Sequence, residues 1–126
     1  MKKLLLISAI LLLFTACNNK DATDNLLKMG KISCSDIDII KTYDDYMIID
    51  VRTPDEYAEG HLDNAINIEY QDIVEKLEEN YISKDTPIIV YCISGGRSGK
   101  AFESLKQAGY THIYDLGAMS NCSKGD

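Results

Sequence analysis

The sequence predicts an α/β domain built on a small, mostly parallel sheet of about five strands, with helices on both faces. Two observations support this fold class. Short apolar runs typical of buried strands alternate along the chain with segments of helical spacing. Strands that alternate with helices pair in parallel, and such a sheet is covered on both faces. The 126 residues leave room for one domain of this kind.

The first elements are predicted from local patterns near residue 31. A short strand is expected at Ile32, and Ser33 or Ser35 is placed to cap the helix that follows. The apolar run Met47 to Asp50 ends in a carboxylate and predicts a buried strand.

Thr53-Pro54-Asp55-Glu56 predicts the start of a second helix. Threonine is a common capping residue, proline fits the first turn, and two acids suit the positive end of the helix dipole. Gly60 is expected to end this helix. A third strand is predicted over Ala65 to Ile68, and the apolar spacing that follows predicts a helix from about Gln71 to Asn80.

The second half of the domain contains two more predicted strands. An apolar run from Ile88 predicts the fourth, which ends at Cys92. Helical spacing then predicts a helix over Ser98 to Ala108, and Gly109 stands where a helix end favours a left-handed residue. Ile113 to Leu116 predicts the fifth strand.

Cys92 is the candidate catalytic residue. The thiolate is the reactive form of cysteine, and its pKa falls when amide N–H groups, a helix N-terminus and a cation face the sulfur. Gly95 and Gly96 allow the backbone to curl into such a nest of amides, and Arg97 adds a permanent charge. Alone, Cys92 would be interpreted as a buried packing residue. The Gly-Gly-Arg sequence that follows favours an anion-binding loop instead.

A second set of polar residues follows the second predicted strand. Parallel strands place their carboxyl ends on one edge of the sheet. We therefore expect Asp50, Val51 and Arg52 to open onto the same crevice as Cys92.

The N-terminus has the pattern of a secretory signal peptide. Lys2 and Lys3 precede the apolar run Leu4 to Phe14, which is shorter than the ~20 residues of a spanning helix. The sequence Leu13-Phe14-Thr15-Ala16-Cys17 resembles a bacterial lipoprotein signal, which implies cleavage before Cys17 and lipidation of its sulfur. Simple secretion and an uncleaved membrane anchor are the alternatives.

This pattern divides the chain into a signal peptide (1–16), a polar tether (17–30) and a domain (31–126). We expect an exported lipoprotein, anchored to a membrane and facing the periplasm or the cell exterior. Loss of two lysines with the signal peptide changes the formal net charge from −7 to −9. Such an acidic domain is a poor partner for nucleic acid.

Three cysteines lie beyond the signal peptide and its cysteine: Cys34, Cys92 and Cys122. An odd number outside the cytoplasm indicates a free reactive thiol, alone or beside one disulfide. A bridge between Cys34 and Cys122 that leaves Cys92 free is one such arrangement, and sequence alone does not establish it. The cysteines are widely spaced, so neither a metal site nor a cofactor is predicted.

Several short motifs occur in a fixed order along the domain. They are Ile49-Asp50-Val51-Arg52-Thr53-Pro54-Asp55-Glu56-Tyr57, Gly60-His61-Leu62, Ala65-Ile66-Asn67-Ile68, Tyr91-Cys92 through Arg97-Ser98, Ala108-Gly109-Tyr110 and Asp115-Leu116-Gly117. Each is weak alone. Together they resemble the single-domain rhodanese-like sulfurtransferase family, from about Ile32 to Met119.

The resemblance implies a rhodanese-like fold and a thiosulfate-type sulfurtransferase. Cys92 would take a sulfane sulfur from a small anionic donor, hold it as a persulfide and pass it to cyanide or a thiol. The substrate-binding residues would be Ile93, Ser94, Gly95, Gly96, Arg97 and Ser98. Within that loop, Arg97 would bind the anionic donor. Asp50 and Arg52 would be structural supports, with a direct role for Arg52 as the alternative, and His61 would be structural.

Three other functions stay open. Related cysteine-dependent phosphatases have a longer loop, whereas four residues separate Cys92 from Arg97, which suits one sulfur atom. A non-catalytic binding module would keep the fold without the activity. A redox module would use Cys122 to resolve an oxidised Cys92, or would pair Cys122 with Cys34.

The C-terminus departs from the family pattern. Cys122 stands about where the family carries a tryptophan, and few residues follow it. We expect Cys122 to be a small substitute in a frayed tail, with a role in redox chemistry as the alternative.

Overall fold

A computed structural model describes residues 27–122. The predicted signal peptide (1–16), the lipidation candidate Cys17 and most of the predicted tether lie outside the described residues, as does the tail after Cys122. Within 27–122, no helix is long and apolar enough to cross a membrane.

The domain is built on five parallel strands, and every strand pair is parallel. The spatial order is β1-β5-β4-β2-β3. The strands are β1 (Gly30–Lys31), β2 (Met47–Asp50), β3 (Ala65–Asn67), β4 (Ile88–Cys92) and β5 (Ile113–Ala118). The predicted α/β fold class is confirmed, and the sheet is parallel throughout.

Within residues 27–122, four α-helices and two short 3₁₀ turns accompany the strands. The helices are α1 (Cys34–Ile40), α2 (Pro54–Glu59), α3 (Ile73–Glu79) and α4 (Gly96–Gln107), and the 3₁₀ turns are Tyr70–Asp72 and Met119–Asn121. The predicted caps of two helices are present. Ser33 caps α1, and Thr53 caps α2 in a reciprocal box with Glu56.

Several element bounds differ from the predictions. Strand β3 ends at Asn67 rather than Ile68, and α3 spans Ile73–Glu79 rather than about Gln71 to Asn80. Helix α4 begins at Gly96 rather than Ser98. The apolar spacing did not predict its first turn, because that turn belongs to the Cys92 loop and carries no apolar residue. Strand β5 continues to Ala118 instead of ending at Leu116. The first strand is Gly30–Lys31, although the Ile32 amide still donates to the Asp115 carbonyl oxygen at 3.0 Å.

The folded domain also starts earlier than the predicted boundary at residue 31. The Leu27 amide donates to the Tyr43 hydroxyl at 2.8 Å, and its carbonyl accepts from the Tyr114 hydroxyl at 3.0 Å. The Leu27 side chain packs against the core. Leu27, within the segment predicted as a tether, is therefore bonded to the described domain, and Gly30 lies in β1.

The apolar core lies in two layers, one on each face of the sheet. Alternate residues of β4 point to opposite faces, and all five are buried. One face packs against α3 and α4 and includes Cys92. The other packs against α1 and includes Tyr91. The helices thus cover both faces, as predicted.

A bulge in β5 lies beside the end of β4. Val90 pairs with Asp115, but the next pair is Tyr91 with Gly117, so Leu116 is an extra residue. The Asp115 carboxylate accepts from the Gly117 amide at 2.9 Å and holds the bulge. The irregularity brings Gly117 and Ala118 opposite the last residues of β4.

Cys34 and Cys122 form a disulfide with their Cα atoms 5.0 Å apart. It joins the start of α1 to the end of the last 3₁₀ turn, across a sequence separation of 88 residues. The expectation of a frayed tail was wrong for Cys122, because this covalent bond fixes it to the core. Among the described cysteines, Cys92 is free.

We expect the disulfide to contribute about 2–4 kcal/mol to the free energy of unfolding, because it restricts a long loop in the unfolded chain. A Cys34→Ser/Cys122→Ser variant should unfold at lower urea concentration than the wild type. Adding dithiothreitol should lower the wild-type midpoint toward that of the variant and leave the variant unchanged. Equal midpoints for the oxidised wild type and the variant would contradict the expectation.

Candidate active site

Cys92 lies at the carboxyl end of the central strand, with its sulfur enclosed by the loop that follows. The residue is 1% exposed. Its Sγ accepts a hydrogen bond from the Gly95 amide at 3.0 Å and another from the Ser98 amide at 3.4 Å. The N-terminus of α4 is part of the same curl, so its dipole also favours a negative charge on the sulfur.

Two opposing effects act on the pKa of the Cys92 thiol. Burial raises it, because a thiolate is poorly solvated inside the protein. Hydrogen bonding from the Ser98 amide and hydroxyl and from the Gly95 and Ser94 amides lowers it. The hydrogen bonds prevail, and the pKa is lowered from that of an ordinary cysteine. The site therefore stabilises the nucleophilic form of the residue.

The curl of the loop depends on Gly95. This residue has φ of 97°, in the left-handed region that side chains disfavour. A Cβ atom placed there would also lie 3.7 Å from Gly117 Cα, on the bulged strand β5. Because 3.7 Å is an ordinary van der Waals distance, the positive φ rather than a lack of space is what favours glycine at this position.

Ser98 closes the loop from below. It is fully buried, and its hydroxyl lies 3.1 Å from the Gly95 carbonyl oxygen, to which it donates. The Ser98 hydroxyl has one proton, which it can donate either to this carbonyl or to the Cys92 sulfur. The hydroxyl also lowers the pKa of the Cys92 thiol.

The remaining loop residues face outward. Ile93 is 53% exposed, and Ser94 and Gly96 are also exposed. A cavity of about 470 Å³ beside the loop is lined by Ser94 and Gly95 together with residues at the carboxyl ends of β1 and β5. The loop therefore has open space on its β5 side.

Arg97 is paired with Glu56, a contact that the sequence did not predict. Its two terminal nitrogens donate to the two carboxylate oxygens of Glu56 at 2.7 and 3.0 Å. The guanidinium beside it lowers the pKa of Glu56 to about 2, and the carboxylate in turn raises the pKa of Arg97. The pattern Thr53-Pro54-Asp55-Glu56 explains the helix start, but it carries no signal for a partner 41 residues away.

Asp50 and Arg52 form a second acid–arginine pair, at the end of β2. Asp50 is fully buried and Arg52 is 4% exposed. Arg52 Nη2 donates to Asp50 Oδ2 at 2.6 Å and to the Gly60 carbonyl oxygen at 2.7 Å. Since both charges are enclosed and satisfied, they do not open onto a crevice with Cys92 as predicted.

Neighbouring side chains extend this buried network. Asn67 Nδ2 donates to the carbonyl oxygens of Asp50 and Arg52 at 3.0 and 2.9 Å. The Tyr91 hydroxyl accepts from the Leu62 amide at 3.0 Å. Asn67 and Tyr91 both stand in the quoted motifs, yet spacing alone does not show which backbone groups they bind.

His61 contacts the end of α2. Its ring stacks on the Tyr57 ring with centroids 3.7 Å apart, and Nδ1 lies 2.9 Å from the Tyr57 carbonyl oxygen. These contacts fix its orientation at the turn after Gly60.

Known proteins are similar to this chain over most of the described domain. A profile of the family described as rhodanese-like domain matches residues 37–121. Thiosulfate sulfurtransferase PspE from Escherichia coli is 37% identical over 73 residues, which cover 58% of this chain and 70% of that protein. The chloroplastic thiosulfate sulfurtransferase 16 from Arabidopsis thaliana is 39% identical over 79 residues, which cover 54% of this chain and 65% of that protein.

A solved structure is also similar to this chain. The structure of a rhodanese with anions from E. coli superposes with a TM-score of 0.57 at 36% identity, covering 60% of this chain and 89% of that one. The chain spans slightly less than two thirds of the Arabidopsis protein, so similarity to that protein concerns a part of its length.

We expect the alkylation rate of Cys92 by iodoacetamide to rise with pH and reach its plateau below the range of a free cysteine, whose pKa is about 8.5. The lowered pKa means that thiolate is lost only as the pH falls below this shifted value. Ser98→Ala should move the midpoint upward, because one donor to the sulfur is removed. Ser104→Ala, on the exposed side of the same helix, should leave it unchanged. A midpoint at or above that of a free cysteine in the wild type would contradict the expectation.

Proposed function

Because the chain belongs to the rhodanese-like domain family, we propose that it is a thiosulfate-type sulfurtransferase that transfers a sulfane sulfur through a persulfide on Cys92. The acceptor is cyanide or a thiol. The observation that carries this proposal is the pair of backbone amides, from Gly95 and Ser98, that donate to the Cys92 sulfur.

In the first half-reaction, the Cys92 thiolate attacks the outer sulfur of thiosulfate. A sulfur–sulfur bond to Cys92 forms as the bond within thiosulfate breaks, and sulfite leaves with the electron pair. Hydrogen bonds to the sulfur lower the pKa of the Cys92 thiol and so increase the fraction of thiolate, which attacks without a general base. The amides that stabilise the thiolate are positioned to stabilise the charge of the resulting persulfide.

In the second half-reaction, the acceptor attacks the outer sulfur of the persulfide. Cyanide leaves as thiocyanate, or a thiolate leaves as a hydropersulfide, and the Cys92 thiolate is regenerated. Both steps exchange one sulfur–sulfur bond for another bond to sulfur, so they need no external oxidant or reductant. This chemistry requires a compact cradle for one sulfur atom, and the short loop between Cys92 and Arg97 supports it.

Asp50 and Arg52 are proposed to support the site from beneath. Each charge is satisfied by the other and by backbone groups, so neither is free to bind a donor. Removing one partner would leave a buried charge uncompensated, which is strongly destabilising. Their contribution to sulfur transfer is therefore to hold the end of β2 beside the end of β4.

Mass spectrometry after thiosulfate treatment tests the persulfide. The protein should gain the mass of one sulfur atom on Cys92, and cyanide should remove it. Cys92→Ser should show no gain, while the Cys34→Ser/Cys122→Ser variant should still gain it. Sulfur on Cys34 or Cys122 would relocate the site. No gain in the wild type would favour a binding module, and faster turnover of an aryl phosphate than of thiosulfate would favour a phosphatase.

We further infer that the protein is an exported lipoprotein, cleaved before Cys17 and anchored to a membrane by lipid on that cysteine. The N-terminal pattern supports this, and the Cys34–Cys122 disulfide fits an oxidising compartment. The catalytic domain would then face the periplasm or the cell exterior.

Metabolic labelling tests the anchor. Labelled palmitate should be incorporated into the wild type and not into Cys17→Ala, and globomycin should cause the uncleaved precursor to accumulate. A mature chain without lipid, found in the soluble fraction, would contradict this proposal.

A further inference from the structure

The contact between Arg97 and Glu56 reduces the positive charge that the Cys92 loop presents to an anionic substrate. Arg97 is the guanidinium of the loop, and an arginine fork binds anions best through two parallel hydrogen bonds. Here Glu56 occupies that fork, with one carboxylate oxygen on each terminal nitrogen. The positive charge of Arg97 is thus already matched by the negative charge of Glu56.

The carboxylate is held in place from its own side as well. Glu56 Oε1 accepts from the Thr53 hydroxyl at 3.0 Å and from the Thr53 amide at 3.3 Å, in the capping box of α2. Its low pKa, about 2, keeps it ionised at every pH where the protein would work. Glu56 is therefore charged whenever it faces Arg97, and its contacts with Thr53 keep its carboxylate within reach of the guanidinium.

Arg97 is nevertheless close enough to act on an anion at the sulfur. It lies between Gly95 and Ser98, whose amides donate to Cys92, and a negative charge on Cys92 contributes to its raised pKa. Its side chain is 31% exposed, so substrate can approach it. What prevents strong anion binding is the occupied fork.

We propose that Glu56 sets the donor preference of the site: by neutralising Arg97 it limits affinity for dianionic sulfur donors and shifts preference toward donors of lower charge. The inference rests on the proposed sulfur transfer. The loop amides, rather than Arg97, are then the principal anion-binding groups. Organic thiosulfonates and persulfides are better matched to this site than an inorganic dianion. The acidity of the whole chain acts in the same direction.

Glu56→Gln tests this with little disturbance of the fold, because glutamine also serves in a capping box. The kinetic comparison uses thiosulfate, a dianion, and benzenethiosulfonate, a monoanion. In the variant, kcat/KM for thiosulfate should rise roughly two- to fivefold through a lower KM, the size expected for one partly exposed charge interaction. The rise for benzenethiosulfonate should be smaller, and both should fade with added salt.

Two further variants control the measurement. Glu75→Gln removes the same charge from an exposed position on α3 and should leave the ratio between the two donors unchanged. In an Arg97→Gln background, Glu56→Gln should lose its effect, because the charge that it would release is absent. If Glu56→Gln instead lowers kcat/KM for both donors by the same factor, Glu56 only positions the loop and the proposal fails.

A binding measurement separates this inference from the proposed activity. Sulfate should protect Cys92 from iodoacetamide, and it should do so at lower concentration in Glu56→Gln than in the wild type. If neither protein transfers sulfur but this difference appears, the proposed reaction fails and the role of Glu56 in anion selectivity stands. Equal protection in both proteins overturns the role of Glu56, whatever the turnover.

Discussion

The pairing between β2 and β4 determines which side chains meet at the working edge of the domain. Asp50 lies opposite Tyr91, and the Val51 amide continues the pairing by donating to the Tyr91 carbonyl oxygen at 3.0 Å. A shift of one residue would turn alternate side chains to the wrong face. The register therefore places the start of α2, with Glu56, beside the loop that follows β4.

Two acid–arginine pairs occupy this edge, and their surroundings give them different physical roles. The pair of Asp50 and Arg52 is enclosed, so its charges interact strongly with each other and with backbone groups. The pair of Glu56 and Arg97 is partly exposed, at 25% and 31% of the side-chain surface, and solvent screens it. The first maintains the shape of the edge, while the second adjusts the electrostatic potential around the sulfur.

The elements of the fold could be predicted because each depends on neighbouring residues. The Met47 to Asp50 run, the Thr53 cap and the glycine-rich turn after Cys92 are all local patterns, and each appears in the structure. The Cys92 loop could be recognised for the same reason, since its residues are contiguous.

Contacts between distant residues were harder to predict. The partner of Arg97 is 41 residues away, and that of Cys34 is 88. Periodicity carries no information about such pairs, which depend on the order of strands in the sheet. The Gly60 partner of Arg52 was not predicted for a related reason, although a structural role for Arg52 was expected. The Gly60 carbonyl follows α2, and the return of the chain at that point is a tertiary feature.

The disulfide makes the chain between Cys34 and Cys122 a covalently closed loop. Cys34 and Cys122 enclose nearly all of the described domain, including Cys92 and both acid–arginine pairs. A protease that cut any loop between them would therefore not release a fragment. The two pieces would stay joined, and the chain ends at the cut would remain near each other at high effective concentration. A molecule cut at one such loop would therefore remain a single covalent piece until the disulfide was reduced.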